Sequence, residues 1–205
     1  MSVFSVSMYN KMIKKENFDF STSYSPVPGA ILISSVNMLD PNFHRSVIFI
    51  CEHNDNGTFG LILNKVLSAL ELNTSLDDMF KENIRLYHGG PVQVDTLHFL
   101  HTRASVSGCK EILPGLFWGG DFDEVRQLVY KNEIRENEIR FFIGYSGWGK
   151  GQLVEELKRK SWYVAPGTSD LIFNVPPDEI WKEAIKKLGP GFQLLLHYPD
   201  DLSNN

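Results

Sequence analysis

Short apolar runs separated by turn residues make up most of the chain after residue 28. Runs of about 4–8 residues rich in β-branched and aromatic side chains are typical of β-strands. They predict strands at residues 30–34, 47–52, 58–64, 84–87, 96–102, 116–118, 138–145 and 193–197. The sequence Asn-Asp-Asn-Gly at 54–57 joins the second and third of these strands as a hairpin, because these residues tolerate positive φ.

Helical patterns stand between the strands without regular alternation. Asp121 is placed to cap a helix that runs to about residue 131, and Ser75 is placed to cap a short one. A third helix is predicted at 152–160, and a fourth begins at 176–179 and stops at 189–190. The irregular order predicts an α+β fold with a mixed, mainly antiparallel sheet and flanking helices, because a parallel doubly wound sheet would alternate strand and helix.

The length of 205 residues corresponds to one domain with an appendage. Residues 1–28 are rich in Ser, Asn, Lys and Tyr, have no apolar period and end at two prolines. We interpret them as a flexible N-terminal extension, and residues 29–205 as a single domain. No apolar run approaches about 18 residues, and the N-terminus lacks the apolar core of a signal peptide. We therefore expect a cytoplasmic protein that does not bind membranes.

The charge balance argues against direct nucleic-acid binding. The chain has 20 Lys and Arg against 25 Asp and Glu, a net charge of −5, and nucleic-acid binding depends on clustered basic residues. Glu155 and Glu156 precede Arg159 and Lys160, respectively, by four residues, so each acidic side chain would lie one helical turn before a basic one. This spacing predicts a solvated, salt-bridged helix face.

Cysteine and histidine spacing gives no sign of a metal or cofactor site. Cys51 and Cys109 are far apart, and Cys51 ends an apolar run, which predicts a buried free thiol. The six histidines form no helical pair with each other or with a carboxylate. No cofactor or metal is predicted.

The most distinctive motif is Gly-Tyr-Ser-Gly-Trp-Gly-Lys-Gly at 144–151, between a predicted strand and a predicted helix. It lacks the Gly-Lys-Ser/Thr of a phosphate-binding P-loop, the second glycine of a nucleophile elbow and the third glycine of a dinucleotide fingerprint. Two interpretations stay open. The block is a tight backbone crossing where only glycine fits, with Trp148 as a packing anchor, or it is an anion pocket at a helix start.

A turn at residues 38–46 offers further candidates. Asp40 and Arg45 either close this turn as an ion pair, or Arg45 receives a carboxylate or phosphate. Asp40, Glu52 and His53 also form a possible acid–base set, since all three flank predicted strand ends.

Several spaced blocks resemble a known family. They are Asp40-Pro41, Phe43, Arg45-Ser46-Val47, Glu52-His53, residues 60–64, residues 89–92, residues 144–153, Glu156, Trp162 and Trp181. Taken in this order, the chain resembles the YqgE/AlgH family of bacterial proteins. The resemblance implies a single α+β domain whose sheet curls into a pseudo-barrel, in the bacterial cytoplasm. The family has no established enzymatic activity or cofactor. One branch is linked to regulation of exopolysaccharide synthesis, and its members are described as transcriptional regulators.

We predict a non-enzymatic cytoplasmic binding or regulatory module that recognises a small anionic ligand or a protein partner, as a monomer or weak homodimer. An enzyme of unrecognised type, such as a hydrolase using His53, and an indirect or nucleic-acid-binding transcriptional regulator are the alternatives. The polar and glycine positions of the matching blocks give the predicted binding residues. They are Asp40, Arg45, Glu52, His53, Asn64, Gly89, Gly90, Gly147, Trp148, Gly149 and Gly151.

Overall fold

The computed structural model describes residues 24–68 and 84–198. These ranges contain nine β-strands: β1 Ala30–Ser34, β2 Val47–Asn54, β3 Gly57–Ile62, β4 Leu86–His88, β5 Val92–His101, β6 Lys110–Leu113, β7 Leu116–Trp118, β8 Ile139–Gly149 and β9 Trp162–Pro166. They also contain four α-helices: α1 Phe122–Tyr130, α2 Gln152–Lys158, α3 Ser169–Phe173 and α4 Pro177–Lys187. Two 3-10 helices cover Glu136–Glu138 and Pro190–His197. None of the helices in this described part of the chain is long and apolar enough to span a membrane.

All the strands belong to one curled sheet with the order β6-β7-β5-β8-β3-β2-β1-β9. Neighbours along this path are antiparallel, while β4 pairs with β8 in parallel. Gly29, directly before β1, lies so close to Leu113 of β6 that a Cβ on the glycine would be 2.6 Å from the leucine Cδ2. Five strands separate β1 from β6 in the sheet order, so the sheet curls back on itself. The predicted α+β class with a mixed, mainly antiparallel, curled sheet is confirmed.

The central strands are buried on both faces. Ile31 and Phe49 point into a core covered by α3, α4 and the last 3-10 helix, whereas Leu32 and Ile48 point into a second core beneath α2. Residues on a strand alternate between faces, so a strand that is covered on both sides has a continuous apolar sequence. This explains why β1 and the first half of β2 lack a polar alternation. Cys51 lies at a bulge of β2 and is a buried free thiol, as predicted, and burial raises its pKa.

Two helix starts follow the predicted chemistry. The Asp121 carboxylate accepts a hydrogen bond from the Glu124 backbone N–H at 3.0 Å and caps α1. Helix α4 begins at Pro177 and buries the apolar stripe that packs it on the sheet. Trp181 on this stripe donates its indole N–H to the Ser34 carbonyl at 3.1 Å, which fixes α4 on β1.

Several predictions differ from the structure. Residues 146–149 are the last part of β8 and pair with β3, so they are not a loop. Residues 193–197, predicted as a strand, lie in the 3-10 helix Pro190–His197. Strands β6 and β9 and helix α3 were not predicted. The predicted helix at Ser75 and residues 1–23 of the predicted extension lie outside the described residues.

Acidification should destabilise the fold through a buried histidine. The His101 side chain is fully buried, with Nε2 2.9 Å from the Gly119 carbonyl oxygen and Nδ1 accepting the Arg103 backbone N–H. Burial lowers the pKa of His101, and also that of His98. The unfolded chain therefore binds protons at a higher pH than the folded protein does. The free energy of unfolding therefore has its full value above the pKa of the unfolded chain, near 6.5. It falls as the pH drops from there towards the lower pKa values of the folded protein.

This prediction is checked by urea unfolding at a series of pH values between 7.5 and 5.5. Each histidine contributes a slope of at most about 1.4 kcal/mol per pH unit. The variant His101→Gln should have a shallower slope than the wild type, because one titrating ring is gone. An unchanged slope in this variant would contradict the assignment.

Candidate functional site

The predicted binding residues lie at three separate places along β2, β3 and β8. Asp40, Arg45 and Asn64 are at the end where β2 begins, and Glu52 and His53 are at its other end. These ends are about 20 Å apart, at roughly 3.3 Å per residue. Gly89 and Gly90 lie between them, and the others lie near Glu52: Gly147, Trp148, Gly149 and Gly151. The predicted residues therefore do not form one continuous face.

Arg45 is held by the fold in several ways. Its guanidinium donates to the Tyr198 carbonyl at 2.5 Å and lies 4.8 Å from the centre of the Trp181 ring. The Asn64 side chain donates to the Arg45 carbonyl at 2.8 Å and accepts the Val47 N–H at 2.9 Å. Asn64 thus clamps the turn onto the start of β2. A role of Arg45 in receiving an anion stays a prediction.

Asp40 closes its turn without Arg45. The Asp40 carboxylate accepts the Asn42 backbone N–H at 2.8 Å, and the Lys65 ammonium donates to the Pro41 carbonyl at 2.7 Å. Burial lowers the pKa of Lys65, and the Asp40 charge partly opposes this. Among the ion pairs of residues 24–68 and 84–198, none joins Asp40 to Arg45, so the predicted pair is wrong.

Glu52 and His53 do not form an acid–base set with Asp40, because the length of β2 separates them. The Glu52 carboxylate accepts from the Asn54 amide at 2.7 Å, and the His53 ring nitrogen lies 2.7 Å from the Thr58 hydroxyl oxygen. Each partner belongs to the same hairpin. No described group of three or more His, Cys, Asp or Glu side chains could hold a metal ion.

Two segments cross with direct backbone contact at the glycines. A Cβ on Gly89 would be 2.2 Å from the Gly144 carbonyl oxygen, and a Cβ on Gly90 would be 2.2 Å from the Tyr145 carbonyl carbon. Gly144 itself has φ +67°, and its Cβ would be 2.6 Å from the Gly90 oxygen. The interpretation of the glycine block as a tight backbone crossing is confirmed at Gly144. Gly151, in contrast, has open space around it.

Trp148 is a packing anchor. It is 5% exposed and packs at 5.8 Å, edge to face, against Trp162. Both indole N–H groups donate to the same Glu156 carboxylate oxygen, at 2.9 and 2.7 Å. Glu156 therefore faces the core under α2 and not the predicted partner Lys160. Glu155, on the exposed side, pairs with Lys158 at 2.7 Å. The predicted pair of Glu155 with Arg159 is wrong.

The strongest candidate site is a cavity of about 920 Å³ that the sequence did not reveal. On one side it is bounded by β4 and the start of β8. On the other side lie the end of α1, the 3-10 turn Glu136–Glu138 and residues 173–177, which run from the end of α3 to the start of α4. Its charged lining residues are Arg85, Arg135, Arg140 and Glu136. Among the described lining residues, three arginines against one glutamate make this cavity basic in a protein of net charge −5. We call it the arginine cavity.

Arg140 gives the arginine cavity its chemistry. Arg140 is only 6% exposed. One of its guanidinium N–H groups donates to the Leu63 carbonyl at 2.9 Å, and the guanidinium carbon lies 4.3 Å from the centre of the Tyr87 ring. Among the described residues, no carboxylate is in salt-bridge distance of Arg140. Burial lowers the pKa of Arg140, and the Arg85 charge lowers it further, whereas Tyr87 and the Glu136 carboxylate partly oppose this shift.

Burying a guanidinium without a counter-charge costs free energy, because burial removes the water molecules that hydrate the charge. The Leu63 carbonyl and the Tyr87 ring replace part of this hydration. An anion in the cavity would supply the rest through charge-assisted hydrogen bonds to unused guanidinium N–H groups.

Comparison with known proteins identifies the family. A sequence model described as AlgH-like matches residues 31–193 of the chain. The chain belongs to the AlgH-like family. It is 42% identical over 176 residues to a UPF0301 protein of Chlorobium limicola, covering 84% of this chain and 92% of the relative. A UPF0301 protein of Cytophaga hutchinsonii is 39% identical over 175 residues, covering 84% and 96%.

Two solved structures share the AlgH-like fold. The solution structure of AlgH from Pseudomonas aeruginosa has a TM-score of 0.66 at 30% identity, covering 85% of this chain and 96% of that chain. The crystal structure of protein DIP2367 from Corynebacterium diphtheriae has a TM-score of 0.65 at 25% identity, covering 87% and 94%.

In this AlgH-like protein, one sequence signal could have pointed to the arginine cavity. Arg140 interrupts the apolar run of β8 between Ile139 and Phe141. A charged residue inside such a run is buried on a strand and needs a partner. Its neighbours Arg85 and Arg135 are exposed and carry no comparable signal.

Proposed function

We propose that this protein is a non-enzymatic binding or regulatory module that recognises a small anionic ligand in the arginine cavity. The observation that carries the proposal is the buried guanidinium of Arg140, a residue of the cavity lining, which has no carboxylate in salt-bridge distance among the described residues. Arg85 and Arg135 on the same lining add positive charge to the position where the ligand would sit.

The arrangement supports binding more than chemistry. An acid–base mechanism needs two titratable groups within reach of one reacting atom, and the predicted set of Asp40, Glu52 and His53 is spread along β2. Arginine stays protonated and serves as a fixed donor of hydrogen bonds. We place the module in the cytoplasm, where the free thiols Cys51 and Cys109 would stay reduced.

The proposal predicts that pyrophosphate stabilises the wild-type protein in a thermal-shift titration. At about 100 times its dissociation constant, a ligand adds about 2.7 kcal/mol, or roughly 5–10 °C for a chain of this length. The variant Arg85→Gln should bind pyrophosphate about tenfold more weakly, because one charge-assisted hydrogen bond is lost. Arg85 is exposed, so the variant should fold like the wild type.

Arg159→Gln is the matched control. Arg159 is also exposed, but it follows α2 and does not line the cavity, so this variant removes the same charge elsewhere. It should bind pyrophosphate as the wild type does. Equal affinities in all three proteins, or no stabilisation of the wild type, would overturn the proposal.

A further inference from the structure

The size of the arginine cavity indicates more than a site for an inorganic anion. Its volume of about 920 Å³ lies near the upper end of the range of about 300–1,000 Å³ in which proteins bind organic ligands and cofactors. An inorganic anion bound at Arg140 would leave most of this volume unfilled. The cavity therefore has room for a ligand with an organic body attached to its anionic group.

Part of the lining away from the arginines is apolar. It contains aliphatic side chains from the end of α1 and the segment after it, and aromatic and proline side chains from β8 and the α3–α4 connection. Among them are Val129, Ile134, Phe141, Phe173, Val175 and Pro176. Such a wall favours a flat, weakly hydrated group, since burying apolar surface against it is favourable.

Asparagine side chains add a second kind of recognition. Asn132 and Asn137 are exposed residues that line the cavity, so their side-chain amides are accessible to a ligand there. An amide offers one acceptor and two donor hydrogens, which match the paired donor and acceptor atoms on the edge of a nucleobase. Asn174 is different, because its amide donates to the Asp170 carboxylate at 3.0 Å.

In the part of the chain that the structure describes, Glu136 is the one carboxylate that lines the cavity, next to Arg135. It would repel a ligand that carries only negative charge. A ligand with hydroxyl groups beside its anionic group would instead donate hydrogen bonds to this carboxylate, as ribose hydroxyls do to acidic residues in dinucleotide sites. The lining thus fits a phosphate, a sugar and a flat base in one molecule.

We infer that the arginine cavity binds a nucleoside phosphate, with its phosphates at Arg85 and Arg140, its ribose at Glu136 and its base between the apolar wall and Asn137. This inference rests on the proposed anion-binding function and specifies the ligand class. The three parts of the ligand meet three different parts of the lining, so each can be tested by itself.

The test compares ADP and GDP with pyrophosphate and adenosine by isothermal titration calorimetry on the full chain. At least one of the two nucleotides should bind about tenfold more tightly than pyrophosphate, and adenosine should bind more weakly than ADP. Asn137→Ala should reduce nucleotide affinity about tenfold and leave pyrophosphate affinity unchanged. Arg85→Gln should reduce both.

Asn56→Ala is the control, because Asn56 is an exposed residue of the β2–β3 hairpin outside the cavity. It should bind nucleotides as the wild type does. Pyrophosphate binding as tight as that of ADP and GDP would overturn the nucleotide inference and leave anion binding intact. Absence of binding by pyrophosphate and both nucleotides would overturn the proposed function itself.

Discussion

The substitution Gly144→Ala should lower the free energy of unfolding by about 2–5 kcal/mol. Gly144 has φ +67°, a conformation that costs an alanine about 1–2 kcal/mol. The added Cβ would also lie 2.6 Å from the Gly90 oxygen and 3.0 Å from the Val92 oxygen. Both contacts are with backbone atoms that cannot rotate away, so overpacking adds about 1–3 kcal/mol. Urea unfolding followed by circular dichroism measures the difference.

Gly151→Ala is the matched control for this experiment. Gly151 has φ +75°, but a Cβ there would meet no atom within 4 Å. The two variants therefore share the conformational cost and differ only in the backbone contact. Gly151→Ala should cost about 1–2 kcal/mol. If both variants lost the same stability, the close crossing of residues 89–90 over 144–145 would not be what requires glycine at 144.

The parts of the fold that could be predicted from sequence depend on local signals. The apolar runs of β1 and β2, the hairpin turn between β2 and β3, the Asp121 cap and the stripe of α4 each contain their signal within a few residues. Strand β9, which has the sequence Trp-Tyr-Val-Ala-Pro, is short and ends in proline, and it becomes a strand by pairing with β1. The run Trp-Tyr-Val is a local signal of the kind that predicts a strand, although it is short; its partner strand, more than 100 positions away, is what no local pattern gives.

The glycine block shows the same limit within one element. Glycine and polar residues at 146–149 favour a loop by composition, yet these residues continue β8 because β3 pairs with them. Long-range pairing overrides local preference here, and the close crossing of residues 89–90 explains the glycine at 144 but not those at 149 and 151. Residues 193–197 show the opposite error, because their apolar run predicts a strand where the structure has a 3-10 helix. No described strand pairs with these residues, and they pack on α4 instead.

The candidate site was harder to predict than the fold. The arginine cavity takes Tyr87 from β4, Arg135 from the turn before β8, Arg140 from β8 and Pro176 from the start of α4. These positions are distant in sequence, and no spacing rule connects them. The anionic ligand class stays a prediction, and the residues now proposed to bind the ligand differ from those predicted from the sequence.

Glu156→Ala should lower the free energy of unfolding by about 3 kcal/mol. Glu156 Oε2 accepts the indole N–H groups of Trp148 and Trp162, and its Oε1 accepts the Gln152 amide at 3.0 Å. Hydrogen bonds to a charged acceptor are worth about 1.5–3 kcal/mol each. Alanine would leave two donors on residues that are only 5% and 3% exposed, where little water can replace the lost acceptor.

Glu155→Ala is the control for this variant, because Glu155 is the adjacent residue on α2 but its carboxylate lies on the exposed face with Lys158. This substitution should leave the urea midpoint unchanged within error, since exposed ion pairs contribute little. The Glu156 variant should unfold at a lower urea concentration with the same m-value, and its tryptophan emission should change because the indole hydrogen bonds are lost. A midpoint equal to that of Glu155→Ala would mean that ring packing alone holds Trp148 and Trp162 and that their shared carboxylate contributes no net stability.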